Sequence, residues 1–436
     1  NEEAYLLLID YYTNEDFIDR ALEAVDQAIN NYNYTVEFYL RKAQLLIQLS
    51  KFDEALEMLD NANMLSPGAY EIQFLRIEIL ILNGAHYEAQ VLIEIAKSEL
   101  RSKQTLSTAY LLEGKLHKHN SNEPFAQEAL FEALQLDPRN EEALELYWNS
   151  LERNKQYSLA VRNFAQLIDI DPYSHLAWYY YGHALSYVNE YKKAIEAYEY
   201  TYIIQPGFEN AYKDFAQLAL ELRQFHAVVD CCIEFRNQFS DDAEILKFQA
   251  LSLQALGQWA EAIEVLSTAL SLEPFDDEVL FNLGLSYSNV YAYEQAIRYM
   301  NRAIEIESER EDYFIELAKV YHHIEDYDRA ANLYLEALAI NPDEELCWLN
   351  YAAFLTQIGH GEEAIDVLQE AELIIDNAKI LFAKVACLFS LGQRKEGLYW
   401  LKEALEEDFE EHSTLFVFNE SLENDSEVLL TIANAV

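Results

Sequence analysis

The chain has 436 residues, and 77 acids against 30 Lys plus Arg give it a net charge of −47. That balance excludes wrapping of nucleic acid, whose phosphates would be repelled, and disfavours docking on an anionic membrane. It favours solubility and, weakly, basic partners. Eleven Gly and seven Pro are too few for the turns of an all-β protein of this size, so helices are expected. No apolar run is long enough to span a bilayer.

Taken from the N terminus, alanines return at a fixed interval of 34 residues: Ala21, Ala55 and Ala89, then, after three extra residues, Ala126, Ala160 and Ala194. Val228 takes the next place, and Ala262, Ala296, Ala330 and Ala364 continue the series. A second series lies seven residues later, at Ala28, Ala62, Ala96, Ala133, Ala269, Ala303, Ala337 and Ala371. Six of the seven prolines share one phase: Pro67, Pro138, Pro172, Pro206, Pro274 and Pro342. Each period reads as two helices. In residues 311–344, Phe314, Leu317, Ala318 and Tyr321 share one helical face, as do Ala330, Tyr334 and Ala337 on a second helix,. Glu325, Asp326 and Tyr327 leave room only for a tight turn, so the two helices lie antiparallel. Asn341-Pro342 ends the second.

Twelve such units are predicted, starting near residues 2, 36, 70, 107, 141, 175, 209, 243, 277, 311, 345 and 379. Small residues let the paired helices approach, with Gly114, Gly182, Gly284, Ala318 or Ala352 opposite the alanines; a larger side chain there would overpack. The extra residues near Ser102 to Leu106 are expected to lengthen the connection between units three and four, where the stack should bend or loosen. Units five to seven carry large residues at packing positions (Trp148, Leu167, Thr201, Val228 and Phe235), which implies a local change of curvature. The last unit is read as one residue short in its turn, placing Gly397 where Ala is usual. Beyond Asp408 the pattern ends, and DSEVLLTIANAV (425–436) reads as a helix covering the last hairpin with Val428, Leu429 and Ile432 on one face, above Phe416 and Phe418. The expected parts are 1–106 with the insertion, 107–412 continuous with it, and a capping segment 413–436.

These residues resemble the tetratricopeptide repeat. Its pattern places an aromatic at position 4, Leu at 7, Gly or Ala at 8, Tyr at 11, Ala at 20 and 27, an aromatic at 24 and Pro at 32. Residues 175–208 match with Trp178, Gly182, Ala194, Tyr198 and Pro206; residues 277–310 match with Leu283, Gly284, Tyr287, Ala296 and Ala303. The resemblance, to a tandem array of bacterial type, covers almost all of the chain. It implies an all-α fold, a right-handed α-α superhelix of antiparallel helix pairs.

Signatures of catalysis are missing: there is no Gly-rich phosphate loop, GxSxG, CxxC or HExxH,. His322-His323 point about 100° apart on a helix and cannot chelate one ion together; His117 and His119 fail similarly. No metal or cofactor is expected. Cys231, Cys232, Cys347 and Cys387 lack paired spacing and suit a reducing compartment, hence the cytoplasm. The chain starts at Asn1, so a removed leader stays open.

What remains is a binding surface. In the resembled family the first helices line a concave side, and positions 2, 5, 9, 12 and 13 point into it. At positions 5, 9, 12 and 13 six cations (Lys115, Lys118, Arg153, Lys213, Lys247 and Lys319) face five acids (Asp10, Glu78, Glu145, Glu152 and Glu221). The groove is therefore roughly neutral, polar and aromatic. Its aromatic focus is WYYYGHALSY (178–187), with Tyr179, Tyr180, His183, Ser186 and Tyr187 toward the groove and Asn149, Arg153, Lys213 and Gln217 beside them. The other reading of these rings is packing between adjacent first helices. A second group is Lys247, Phe281, Asn282, Lys319, His322 and His323. Neither group reproduces the Lys/Asn clamp with which some family members hold a chaperone's carboxylate tail. The expected function is a non-catalytic scaffold that binds an extended segment or helix of another protein. The alternative is a regulator occluded by its own tail or a second copy, and more remotely an enzyme with an unrecognised site. The oligomeric state stays open.

Overall fold

Twenty-four helices of 12 to 17 residues follow one another at the predicted phase. The computed structural model describes residues 1–435, and among them there is no strand. The chain divides into two units after Leu218. The first holds α1 (Glu2–Asn14), α2 (Ile18–Asn31), α3 (Val36–Gln48), α4 (Phe52–Leu65), α5 (Tyr70–Leu82), α6 (His86–Glu99), α7 (Lys103–His119), α8 (Glu123–Leu136), α9 (Glu141–Arg153), α10 (Tyr157–Ile170), α11 (His175–Tyr187), α12 (Tyr191–Ile204) and most of α13 (Glu209–Glu221). The second begins in the last turn of α13. It continues with α14 (Phe225–Gln238), α15 (Ala243–Ala255), α16 (Trp259–Leu272), α17 (Asp277–Asn289), α18 (Tyr293–Ile306), α19 (Glu311–His323), α20 (Tyr327–Ile340), α21 (Glu345–Gln357), α22 (Gly361–Glu372), α23 (Ala378–Ser390), α24 (Arg394–Glu407), α25 (Ser413–Phe418) and α26 (Ser426–Ala433). Each unit by itself is an α-α superhelical stack of antiparallel helix pairs.

The alanine series explains the close pairing. Ala21, Ala55, Ala89, Ala126, Ala160, Ala194, Ala262, Ala296, Ala330 and Ala364 are all at most 1% exposed. Opposite them, a Cβ on Gly114 would lie 2.7 Å from Leu130 Cγ, and one on Gly284 would lie 2.6 Å from Met300 Cγ. Successive pairs are tied by residues six apart across the junction and by residues about one repeat apart. Trp178 Nε1 donates to the Pro172 carbonyl at 2.9 Å, and Trp348 Nε1 to that of Pro342 at 2.8 Å. The phased prolines thus end one helix and leave a carbonyl for the next pair. Tyr313 Oη donates to Asp277 at 2.7 Å, and Asn140 Nδ2 to Ser107 at 3.1 Å.

Two expectations are corrected. The three added residues do not lengthen the connection before α7. Only Leu100, Arg101 and Ser102 separate α6 from α7, and the addition is absorbed as an extra turn that makes α7 17 residues long. A helix turn satisfies its own backbone groups, which a loop would leave to water. Nor is the last turn short: three residues join α23 to α24, as elsewhere, and the missing residue falls in the 12-residue α22 and the segment after it. Gly397 does take the alanine place, with the Phe389 ring 3.0 Å from where a Cβ would stand. The large residues Trp148, Leu167, Thr201, Val228 and Phe235 are all buried.

Every first helix ends in one backbone device. The middle residue of each three-residue connection has positive φ: Gly84, Gly257, Gly359 and Gly392 in four connections, and Asp16, Ser50, Ser121, Lys155, Asn189, Arg223, Tyr291 and Glu325 in eight. This left-handed residue lets the next amide reach back five residues, as Asp326 N does to Tyr321 O at 3.0 Å,. A side chain in this conformation is disfavoured, and glycine is not. Tyr291 is 79% exposed and loses little contact if removed. Tyr291→Gly should therefore raise stability by about 0.5–1 kcal/mol, read as a higher urea midpoint at unchanged slope; a lower midpoint would contradict this account of the corner.

At the C terminus, Val428 and Ile432 of α26 are buried with Leu401, Leu405 and Leu415, while Phe416 and Phe418 are partly covered. Leu429 stays outside at 43% exposure. Asp425 caps α26 by accepting from Glu427 N and Val428 N. The same carboxylate takes two bonds from Arg394, at 2.6 and 2.7 Å, and Arg394 also reaches Glu427 at 2.9 Å. Arg394 holds the Asp425 carboxyl far below the usual carboxylate range.

Candidate functional site

Three successive first helices of the first unit open a cleft of about 370 Å³. α3 contributes Glu37, Leu40, Arg41 and Gln44; α5 contributes Glu71, Phe74, Leu75 and Glu78; α7 contributes Thr108, Leu111, Leu112 and Lys115. These are repeat positions 2, 5, 6 and 9 in each helix, and Glu142 of α9 closes the end. Aliphatic and phenyl side chains form the floor, and charged groups stand around it in pairs. Lys115 Nζ lies 2.9 Å from Glu78 and 2.5 Å from Glu142. Burial pulls its pKa down, but the two carboxylates outweigh that, and the net shift is upward. Arg41 is 3.1 Å from Glu37 and 3.5 Å from Asp10. A neighbouring cleft of about 310 Å³ shares Arg41, Gln44 and Glu78 and extends toward Thr13 and Gln48.

The aromatic residues of α11 face inward as their phase requires, yet they are packed on each other and on adjacent pairs. Tyr180 stacks on Trp148 of α9, with centroids 5.7 Å apart at 16°, and burial pushes its phenol up to about 12. Tyr187 stacks on Tyr157 at 4.1 Å and donates to Glu152 at 3.2 Å. Tyr179 Oη donates to Asp214 Oδ2 at 2.7 Å, and His183 Nε2 lies 3.4 Å from the same oxygen. Burial, then Asp214, raises the Tyr179 phenol far above its ordinary range. Ser186 is satisfied within its own helix by the Gly182 carbonyl. The more accessible members are Tyr187, Arg153 and Gln217, whereas Asn149 and Lys213 are half-buried. Removing Tyr179, His183 and Tyr187 together would strip rings from this packing, so that triple change tests stability as well as binding.

Helix phase, small-residue contacts and proline stops therefore recur through both units, and comparison with known families agrees. Models of the tetratricopeptide repeat match residues 36–68 and 249–311. That of the anaphase-promoting complex, cyclosome, subunit 3 matches residues 289–371. The chain carries tetratricopeptide repeats. A curated relative, the TPR repeat-containing protein MJ1428 of Methanocaldococcus jannaschii, is 24% identical; the match covers 44% of this chain and 43% of the relative, so less than half of the relative's length is spanned. Among solved structures, YrrB, described as a TPR protein with an unusual peptide-binding site, is 20% identical. It aligns with 42% of this chain and 95% of its own at a TM-score of 0.38. The Cut9–Hcn1 hetero-tetramer of the APC/C gives 13% identity, 100% and 96% coverage, and a TM-score of 0.38. MamA gives 17%, 37% and 94%, and 0.36.

The second predicted group of this tetratricopeptide array is not one cluster. Lys247 and Asn282 line a cleft of about 220 Å³ with Glu244, Phe248, Leu251 and Glu278. Lys247 pairs with Asp276 at 2.9 Å. Phe281 instead stacks on Tyr313 at 4.2 Å, inside the packing. Lys319 pairs with Glu316 at 2.7 Å within its helix. His322 lies against Phe354 and His323 against Tyr293, at the turn end of α19; burial, then His323, lowers the His322 pKa. Sequence phase named the first-helix face but omitted position 6, and so did not include Arg41 and Leu75, which line its cleft. The fact that three neighbouring units carry Leu or Phe at position 5 (Leu40, Phe74 and Leu111) was the available signal.

Among the described residues no group of three or more His, Cys, Asp or Glu is placed to hold a metal ion, and no helix is long and apolar enough to cross a membrane. All four cysteines are buried, and burial pushes the Cys232 thiol up to about 12.

Proposed function

We propose that this chain is a non-catalytic adaptor that holds an extended segment or a helix of a partner protein on the face built by its first helices. The cleft across α3, α5 and α7 is the principal contact. The observation behind this reading is that three successive repeats offer an apolar floor at position 5, extended at position 6 by Leu75 and Leu112, and rimmed by four carboxylates and two cations. A segment inserting one apolar side chain per repeat, with polar residues of either sign between, fits that surface. Tight partners commonly combine such a buried anchor with a charged rim. The Tyr187, Arg153 and Gln217 surface of α11, α9 and α13 is the second contact. Four buried thiols suit a reducing compartment, which supports reading the adaptor as cytoplasmic.

Gln44 is exposed and lines both clefts of this face. Gln44→Trp should fill them and abolish partner capture from source-cell lysate while leaving the melting curve unchanged. Normal capture by this variant, with loss in Tyr187→Ala, would move the site to the aromatic surface. Normal capture by both would end the reading, as would turnover of a hydrolase or transferase substrate that a cleft substitution abolishes.

A further inference from the structure

We infer that His86 and His119 form a two-histidine site for a borderline divalent metal ion such as Zn²⁺, Ni²⁺ or Cu²⁺. The two residues lie 33 apart in sequence, on adjacent repeats of the first unit. His86 is the first residue of α6 and His119 the last of α7. His86 Nε2 lies 3.0 Å from His119 Nδ1, with ring centroids 4.9 Å apart and planes at 70°. Metal–imidazole bonds of about 2.0–2.1 Å place two ligand nitrogens roughly 2.9 Å apart on a square-planar edge and roughly 3.3 Å apart on a tetrahedral one. The observed separation falls between these values, so the rings need little movement to receive an ion.

Without metal, one ring nitrogen of the pair donates to the other. Metal binding needs a lone pair on each facing nitrogen. The donor ring meets that need by shifting its proton to its outward nitrogen, Nδ1 of His86 or Nε2 of His119, with no proton lost. The two helix ends hold the rings in place, because packing between α6 and α7 fixes their relative position. His119 is exposed and His86 half-buried, so the remaining coordination positions open to water or to a ligand from outside. Imidazole selects transition metals over Mg²⁺ and Ca²⁺, which prefer oxygen. This matters on a surface so rich in carboxylates.

The test is Zn²⁺ titration of the full chain by calorimetry in excess MgCl₂, which occupies the carboxylates. It is repeated with His119→Ala, His119→Gln and His86→Ala. Circular dichroism confirms that the variants remain helical, and long-range ¹H–¹⁵N spectra follow the imidazoles. Wild type should bind about one more equivalent of Zn²⁺ than each variant. Resonances of His86 Nε2 and His119 Nδ1 should shift together on titration. Equal stoichiometry in wild type and all variants overturns the site, as does a spectrum in which other histidines shift and these two do not.

Discussion

Trp148→Ala should cost about 3–5 kcal/mol of stability, although alanine is the residue that the repeat favours at this position. In five other units the place is held by Gly114, Gly182, Gly284, Ala318 and Ala352, all tight against the facing helix. In α9 the indole is only 5% exposed. It meets Phe164 at 6.2 Å within its own pair, and Tyr180, His183 and Tyr187 of the next pair at 5.7, 5.8 and 6.3 Å. The neighbouring rings have been set around the large residue, so shortening it to the common one leaves a void that α11 cannot fill without moving. Denaturant unfolding of the variant measures the loss. A change below about 1 kcal/mol would mean that the surrounding rings collapse freely into the gap.

The opposite change carries the second large effect. Ala330→Trp should destabilise by about 3 kcal/mol, the upper end for overpacking. Ala330 is wholly buried at the contact of α20 with α19, in a core shared with Leu317, Ala318, Tyr321 and Tyr334. There is no outward path for an indole. Because stacked repeats touch mainly their neighbours, the damage should be local. Hydrogen exchange should accelerate in 311–340 and stay slow around Ala21 and Ala55. An unchanged melting curve would show that the alanine series does not mark the helix contacts.

How much of this was legible from the sequence depends on the range of the interaction. The phase of Ala330, Tyr334 and Pro342 encodes contacts inside one helix pair, and those were readable because the residues share a helical face. The three extra residues near Ser102 were misplaced because periodicity reports that residues were added, not whether they extend a helix or a loop. The corner conformation was hidden because eight of its holders, including Tyr291 and Glu325, are not glycine. For the candidate surface, phase put Tyr179, His183 and Tyr187 together on α11. Their partners Asp214 and Glu152 lie 35 residues away, and Trp148 and Tyr157 belong to the preceding repeat. Pairing across repeats depends on the offset between neighbouring helix pairs, which a single chain does not print. The same offset concealed His86 beside His119 and Arg41 beside Asp10.

The eight left-handed corners with side chains stand a full repeat or more from one another, and none of them lines a cleft on the first-helix face. Adjustments at such separated points add with little interference. The array therefore contains a graded set of independent controls on its resistance to unfolding, all lying apart from the clefts proposed to receive a partner. A chain under selection only to remain above a working threshold has no reason to set them all to glycine, so durability here can be tuned without redesigning recognition.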